Sequence, residues 1–157
     1  RTILNFRGER PGTSWYDEEK AAADALGIKM ITISISAKKI PSKERLVQIL
    51  DAFRHEAYPM LIHCRAGADR TGMVSAIYLM TFGGKSKRKA VSEGLKATYG
   101  HIEGFFPAMK YFMRLYQGEA WAREIYDPCS QDYRYFDRAQ CEGEKPGAIP
   151  LAEDEDS

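Results

Sequence analysis

The sequence reads as an α/β protein with a central, mostly parallel sheet flanked by helices. Three observations carry this. Short strand-like runs at residues 2–6, 28–35 and 60–62 alternate with longer stretches of helical periodicity. The third run, Met60-Leu61-Ile62, is wholly apolar, as expected of a strand buried on both faces. The length, 157 residues with 44% hydrophobic and 29% charged, suits one folded domain and rules out disorder over most of the chain.

Thr2-Ile3-Leu4-Asn5-Phe6 forms the first strand, broken by Gly8 and Pro11-Gly12. Ser14 caps a helix running to about Leu26, with Asp17 in its first turn and Gly27 as its stop. Residues 28–35 (IKMITISI) alternate β-branched and polar side chains, a second strand. Pro41 and Ser42 open the next helix, on which Leu46, Val47, Ile49, Leu50 and Phe53 share one face, and Tyr58-Pro59 ends it. After the apolar run at 60–62 comes a polar loop, residues 63–70. An apolar helix follows over 71–82 (TGMVSAIYLMTF), stopped by Gly83-Gly84. Two further helices are expected over 86–99 and 105–116, the second extended by 121–126. Phe105, Phe106, Met109, Phe112, Met113 and Leu115 are read as core.

Past Pro128 the periodicity fades. The organisation expected is a catalytic domain over 1–127 and an acidic, partly disordered C-terminal extension over 128–157. The net charge of +1 conceals this division: residues 142–157 carry six acids and one base, which leaves 22 basic and 16 acidic residues over 1–141, a net of +6. A basic body favours anionic partners. Three cysteines do not make a disulfide scaffold; a bond between Cys129 and Cys141 is open, and neither is followed six residues later by arginine. No apolar run reaches membrane-spanning length and no signal peptide is visible. The chain starts at Arg1 directly on an apolar run, so an upstream segment carrying a signal or anchor is expected to have been removed. The cytoplasm is the default compartment, and membrane contact is expected only through such a segment.

The chemistry lies in His63-Cys64-Arg65-Ala66-Gly67-Ala68-Asp69-Arg70-Thr71-Gly72. Between a strand and a helix, the first helical amides have no intrahelical acceptor and turn into the loop. With the loop amides of Arg65, Ala66, Gly67, Ala68, Asp69 and Arg70 they form a nest for an anion such as phosphate. Gly67 supplies the unusual dihedrals. Cys64 faces this field, which favours its thiolate. Arg70 returns to the mouth of the nest, where its planar fork binds two phosphoryl oxygens. The Thr71 hydroxyl is placed to donate to the sulfur as a thiophosphate breaks down. His63 is expected to fix the loop by hydrogen bonding rather than act as a base. A bare Cys-x5-Arg is a weak signal; the preceding apolar strand, His63, the central Gly67 and the Thr71-Gly72 helix start give it weight.

This segment resembles the His-Cys-x5-Arg-Ser/Thr signature of the cysteine-dependent protein tyrosine phosphatase superfamily. The size resembles its compact dual-specificity branch. The stretches ILNFRGERPGTSWYDEEKAAADALGIK, SISAKKIPSKERL and TYGH resemble a bacterial group of small dual-specificity-like phosphatases, together covering roughly residues 3–116. The resemblance implies a dual-specificity phosphatase-like fold, Cys64 as nucleophile, Arg70 as transition-state clamp, loop amides that bind phosphate, and no metal or organic cofactor.

The sequence departs from the pattern at the general acid. In dual-specificity relatives this is an aspartate about 30 residues before the cysteine. Here that window holds Thr32, Ser34, Ser36 and Ala37, and the only carboxylate between Asp24 and Asp51 is Glu44, inside an expected helix. Asp69 is the replacement candidate, an arrangement that resembles myotubularin-type lipid phosphatases. The alternative is that Asp69 caps the helix starting near Thr71. A third option is a substrate whose leaving group needs little protonation. Arg65 is either an exposed loop arginine or a contact for a second substrate phosphate. Lys38, Lys39 and Lys43 extend a basic rim. Lys85, Lys87, Arg88 and Lys89 read as a solvated helix start, His55 as surface, and His101 as a local helix-end contact or a structural bond near the site.

The expected activity is a phosphomonoester hydrolase working through a cysteinyl-phosphate. Its substrate is a phosphorylated protein or, alternatively, a phosphorylated inositol or lipid. It acts as a monomer and without nucleic acid. A non-catalytic phosphate-binding module is the competing class, and a rhodanese-type sulfurtransferase a remote third.

Overall fold

A computed structural model describes residues 1–141. The acidic stretch 142–157 lies outside the described residues. The chain runs β1 (Thr2–Asn5), α1 (Ser14–Ala25), β2 (Lys29–Thr32), α2 (Lys43–His55), β3 (Met60–His63), α3 (Asp69–Thr81), α4 (Lys87–Gly94), a 3₁₀ turn (Ala97–Tyr99) and α5 (Pro107–Leu115). A π-helical turn (Trp121–Ile125) and a second 3₁₀ turn (Arg138–Cys141) complete it. The three strands form a parallel sheet in the order β2-β1-β3, with Thr2 opposite both Lys29 and Met60. The α/β class and the parallel sheet match expectation.

Several boundaries differ, each for a local reason. The first cap is Thr13, not Ser14, and Asp17 accepts from the Gly12 amide at 3.0 Å. The second strand ends at Thr32 rather than Ile35. β1 ends at Asn5, and the last rung is the Ile33 amide donating to the Asn5 carbonyl at 2.9 Å. Ile33 and Ile35 instead bury themselves in the loop that follows. The third strand is not buried on both faces: with β1 in the middle of the described sheet, β3 is an edge, and Leu61 is 58% exposed. The helix expected over 86–99 stops at Gly94. Phe105, expected in the core, is 72% exposed, because α5 starts only at Pro107.

α3 and α4 make the tightest crossing. A methyl group on Gly72 would lie 2.6 Å from the Gly94 carbonyl oxygen, and one on Gly94 would meet the Gly72 carbonyl in turn. Neither position admits a side chain, so the two backbones touch. α2 is begun by Ser42, whose hydroxyl accepts from the Arg45 amide. Its apolar face and the buried side chains of α3 and α5 enclose the core with Leu4 and Phe6.

Residues 128–141, assigned to the extension by their lack of periodicity, lie against the body. Cys129 and Cys141 are joined by a disulfide. Fully buried Tyr126 donates its hydroxyl to the Pro41 carbonyl at 2.6 Å, and the Ile40 amide donates to the Tyr135 carbonyl at 2.9 Å. Tyr126 makes tilted ring contacts with Trp121 and Tyr133, at 4.9 and 5.7 Å between ring centres. An aromatic cluster rather than a periodic pattern therefore orders this segment. Among the described residues no helix is long and apolar enough to cross a membrane.

Candidate active site

The site forms where β3 gives way to α3, at the C-terminal edge of the sheet, the place where open parallel sheets bind ligands. The His63 carbonyl accepts from the Phe6 amide at 2.8 Å, which locks the end of β3 to the chain leaving β1. The loop then turns over residues 64–68 with Gly67 at φ +69°, a left-handed conformation that a side chain would strain. Arg65, Ala66 and Gly67 are exposed at the mouth. Ala68 is buried and precedes the first turn of α3.

Cys64 is a free thiol, 8% exposed. Burial pushes the thiol up, but the Thr71 hydroxyl, the Thr71 and Gly67 backbone amides and the Arg70 charge outweigh it, and the thiol lies below its ordinary value. The Thr71 hydroxyl is buried with no other partner among the described residues and favours the thiolate of Cys64. The Arg70 guanidinium donates through Nη1 to the carbonyls of Phe6 and Ile35, each at 3.4 Å. Two backbone oxygens, one following each of β1 and β2, thus aim the arginine.

His63 brackets the loop from below. Its Nδ1 lies 3.2 Å from the Cys64 carbonyl and its Nε2 2.7 Å from Glu19 Oε1 on α1. Glu19 carried no signal in the sequence, since only the packing of α1 brings it to His63.

Asp69 departs from one of its two readings. α3 begins at Asp69 rather than at Thr71, its cap position is Ala68, and no side chain caps it. Asp69 therefore does not cap the helix. Its Oδ1 lies 2.6 Å from Nδ1 of His101, 32 residues away, and both residues are buried, 9% and 6% exposed. His101 comes from the TYGH stretch and meets the end of the loop itself, not merely the end of its own helical turn. The loop after β2 reaches Arg70 through Ile35, so the segment that holds the acid in dual-specificity relatives does flank this site, with Ser34 and Ser36 in place of a carboxylate. Glu44 lies exposed on α2. Lys38 is exposed on the same flanking loop, and Lys85, Lys87, Arg88 and Lys89 form the largely solvated start of α4.

The model of one protein family, described as PTP-SAK, a Swiss Army Knife protein DSP-PTPase phosphatase domain, matches residues 1–104. The chain belongs to this family. The match covers every strand, the whole loop and both members of the Asp69–His101 pair. A relative of the PTP-SAK domain, the dual specificity protein phosphatase TpbA of Pseudomonas aeruginosa (strain UCBPP-PA14), is 26% identical over 97 residues, which are 60% of this chain and 44% of TpbA. The chain thus spans under half the length of that relative. In three dimensions it is similar to the crystal structure of P. aeruginosa TpbA, with a TM-score of 0.56 and 22% identity over 74% of this chain and 67% of that one. It is similar in the same way to the core catalytic domain of the PP-IP phosphatase SIW14 from S. cerevisiae, with a TM-score of 0.58, 22% identity and the same coverages. At these identities the structural likeness establishes the fold: the α/β, dual-specificity phosphatase-like architecture expected from the sequence.

Proposed function

We propose that the chain is a phosphomonoester hydrolase that works through a cysteinyl-phosphate. The observation that carries this is the Cys64 thiol, held below its ordinary value by amides, a hydroxyl and a guanidinium that also suit a phosphoryl group. The Cys64 sulfur attacks phosphorus in line, and the bond to the leaving oxygen breaks. The amides of residues 65–70 and the Arg70 fork take up the charge on the three equatorial oxygens. Water then attacks the cysteinyl-phosphate, the P–S bond breaks, and inorganic phosphate leaves. Thr71 donates to the departing sulfur. Asp69 carries the proton: with Oδ1 taken up by His101, Oδ2 delivers it to the leaving oxygen and recovers it from the attacking water.

Family membership supports a phosphorylated protein as substrate, and P. aeruginosa TpbA has a structure in complex with pTyr. A second reading, a phosphorylated inositol or lipid, is favoured by exposed Arg65 directly after the nucleophile and by Lys38 on the flanking loop. The Cys129–Cys141 disulfide supports an oxidising compartment over the cytoplasm. The test is steady turnover of an aryl phosphate by the wild type and by Cys64→Ser, with phosphopeptides, inositol phosphates and phosphoinositides as a substrate panel. Turnover abolished by the substitution is expected. Phosphate binding without turnover by the wild type would leave a non-catalytic binding module.

A further inference from the structure

We propose that His101 is the positioning residue of the proton transfer, acting through Asp69. The inference rests on the reading of Asp69 as proton carrier and deepens it.

Three observations support it. First, the Nδ1···Oδ1 distance is 2.6 Å, and both residues are buried. A buried ion or hydrogen-bond pair adds little net stability over apolar packing, so its presence at the loop needs another reason. Second, the segment carrying His101 lies flush on the loop. The Cβ position of Gly100 is 3.5 Å from the Ala68 methyl, so the ring approaches the first turn of α3 from directly beside the loop end. His101 is itself anchored, its amide donating to the Lys96 carbonyl at 3.3 Å. Third, Nε2 of His101 is buried with no hydrogen-bond partner among the described residues. The one side-chain hydrogen bond that the ring makes among the described residues is therefore the one to Asp69.

The physical consequence is rotational. A carboxylate at the first position of a helix has more than one staggered rotamer open to it, and pinning one oxygen selects among them. With Oδ1 fixed by His101, Oδ2 keeps a single direction relative to Arg70 and Thr71, the next two residues of the same turn. Orientation of a proton donor is the part of general acid catalysis that a neighbouring group supplies, by the logic of a base held by a third residue. A group misplaced by about 1 Å costs on the order of 10²-fold in rate.

The experiment compares wild type, Asp69→Asn, His101→Ala, His101→Asn and the double variant Asp69→Asn/His101→Ala. Substrates are a series of aryl phosphates of rising leaving-group pKa and one alkyl phosphate. His101→Ala is expected to lower kcat about 10–100-fold on the alkyl phosphate, with little loss on the most activated aryl phosphate and KM unchanged. Asp69→Asn is expected to show the same dependence on the leaving group, more steeply. The double variant should be no slower than Asp69→Asn, because His101 acts through it. His101→Asn, whose amide nitrogen replaces Nδ1, should recover most of the rate. Equal loss by His101→Ala on every substrate, or losses that multiply in the double variant, would overturn the proposal while leaving Asp69 as proton carrier. An Asp69→Asn variant with no leaving-group dependence would overturn both. If His101→Ala fails to fold, His101→Asn and Asp69→Asn decide: a His101→Asn variant slowed uniformly on all substrates also rejects the assignment.

Discussion

Residues 63–71 and residues 121–141 both join short regular turns to loops on the same core, and they are held in different ways. The first is set largely by its own neighbours in sequence. Gly67, Arg70 and Thr71 all act on Cys64 within seven residues, while Phe6, Glu19, Ile35 and His101 brace the stretch from afar. The second is held at a distance. Tyr126 reaches Pro41 across 85 residues, Tyr135 reaches Ile40, Arg123 reaches Asp51 at 2.5 Å, and the disulfide closes the segment on itself. On the proposed reading the first region carries the chemistry. The second supplies packing and a disulfide, and its hydrogen bonds to Ile40 and Pro41 tie it to the segment between β2 and α2. Changes in the first should therefore alter rates, and changes in the second should alter stability.

The sharpest break in this contrast is at the nucleophile. Cys64→Ser should lose about 10⁴-fold or more in kcat while keeping the fold, measured by aryl phosphate turnover alongside a thermal melt. Arg70→Lys keeps the charge but loses the planar fork, and kcat should fall about 10²–10³-fold in the same assay. Removing the Thr71 hydroxyl tests the thiol. With the thiol lowered, the reactive thiolate is present below the ordinary thiol range and is lost as pH falls through the lowered value. Thr71→Val should raise that value, shifting the acid limb of iodoacetate inactivation toward higher pH. The smallest effect on rate is expected from Cys129→Ser/Cys141→Ser. Its kcat should stay within about 2-fold of wild type, while loss of the link costs roughly 2–4 kcal/mol of stability and lowers the melting temperature. A large loss of kcat there would mean that the segment controls the loop after β2, and the contrast would fail.

The same contrast explains what could be read from the residues. The loop was legible because its chemistry is written consecutively: cysteine, glycine, arginine and threonine within eight positions after an apolar run. The strand–helix alternation was legible for the same local reason. What escaped was non-local. The Asp69–His101 contact joins residues 32 apart; the sequence offered Asp69 as proton carrier or helix cap and His101 as a helix-end contact or a structural bond near the site, without pairing the two. The exposure of Leu61 depends on which strand sits at the sheet edge, and a three-residue apolar run does not encode that. The stretch over 128–141 has neither helical nor strand periodicity, since Tyr135 reaches Tyr111 on α5 and Ile40 before α2 rather than lining one face.

The central position of β1 has a consequence for how the three cysteines stay apart. The strand made first lies in the middle of the sheet, and its last partner is β3, whose final residue, His63, pairs with Asn5 immediately before Cys64. All the strands of the described sheet have therefore been synthesised before Cys129 and Cys141 exist. In an unstructured chain Cys64 has no ordered amides around it and behaves as an ordinary thiol. In the folded chain it is 8% exposed, while Cys129 and Cys141, which follow every strand of the described sheet, are joined to each other. Burial at the end of β3 thus sets the one free sulfur apart from the two that pair.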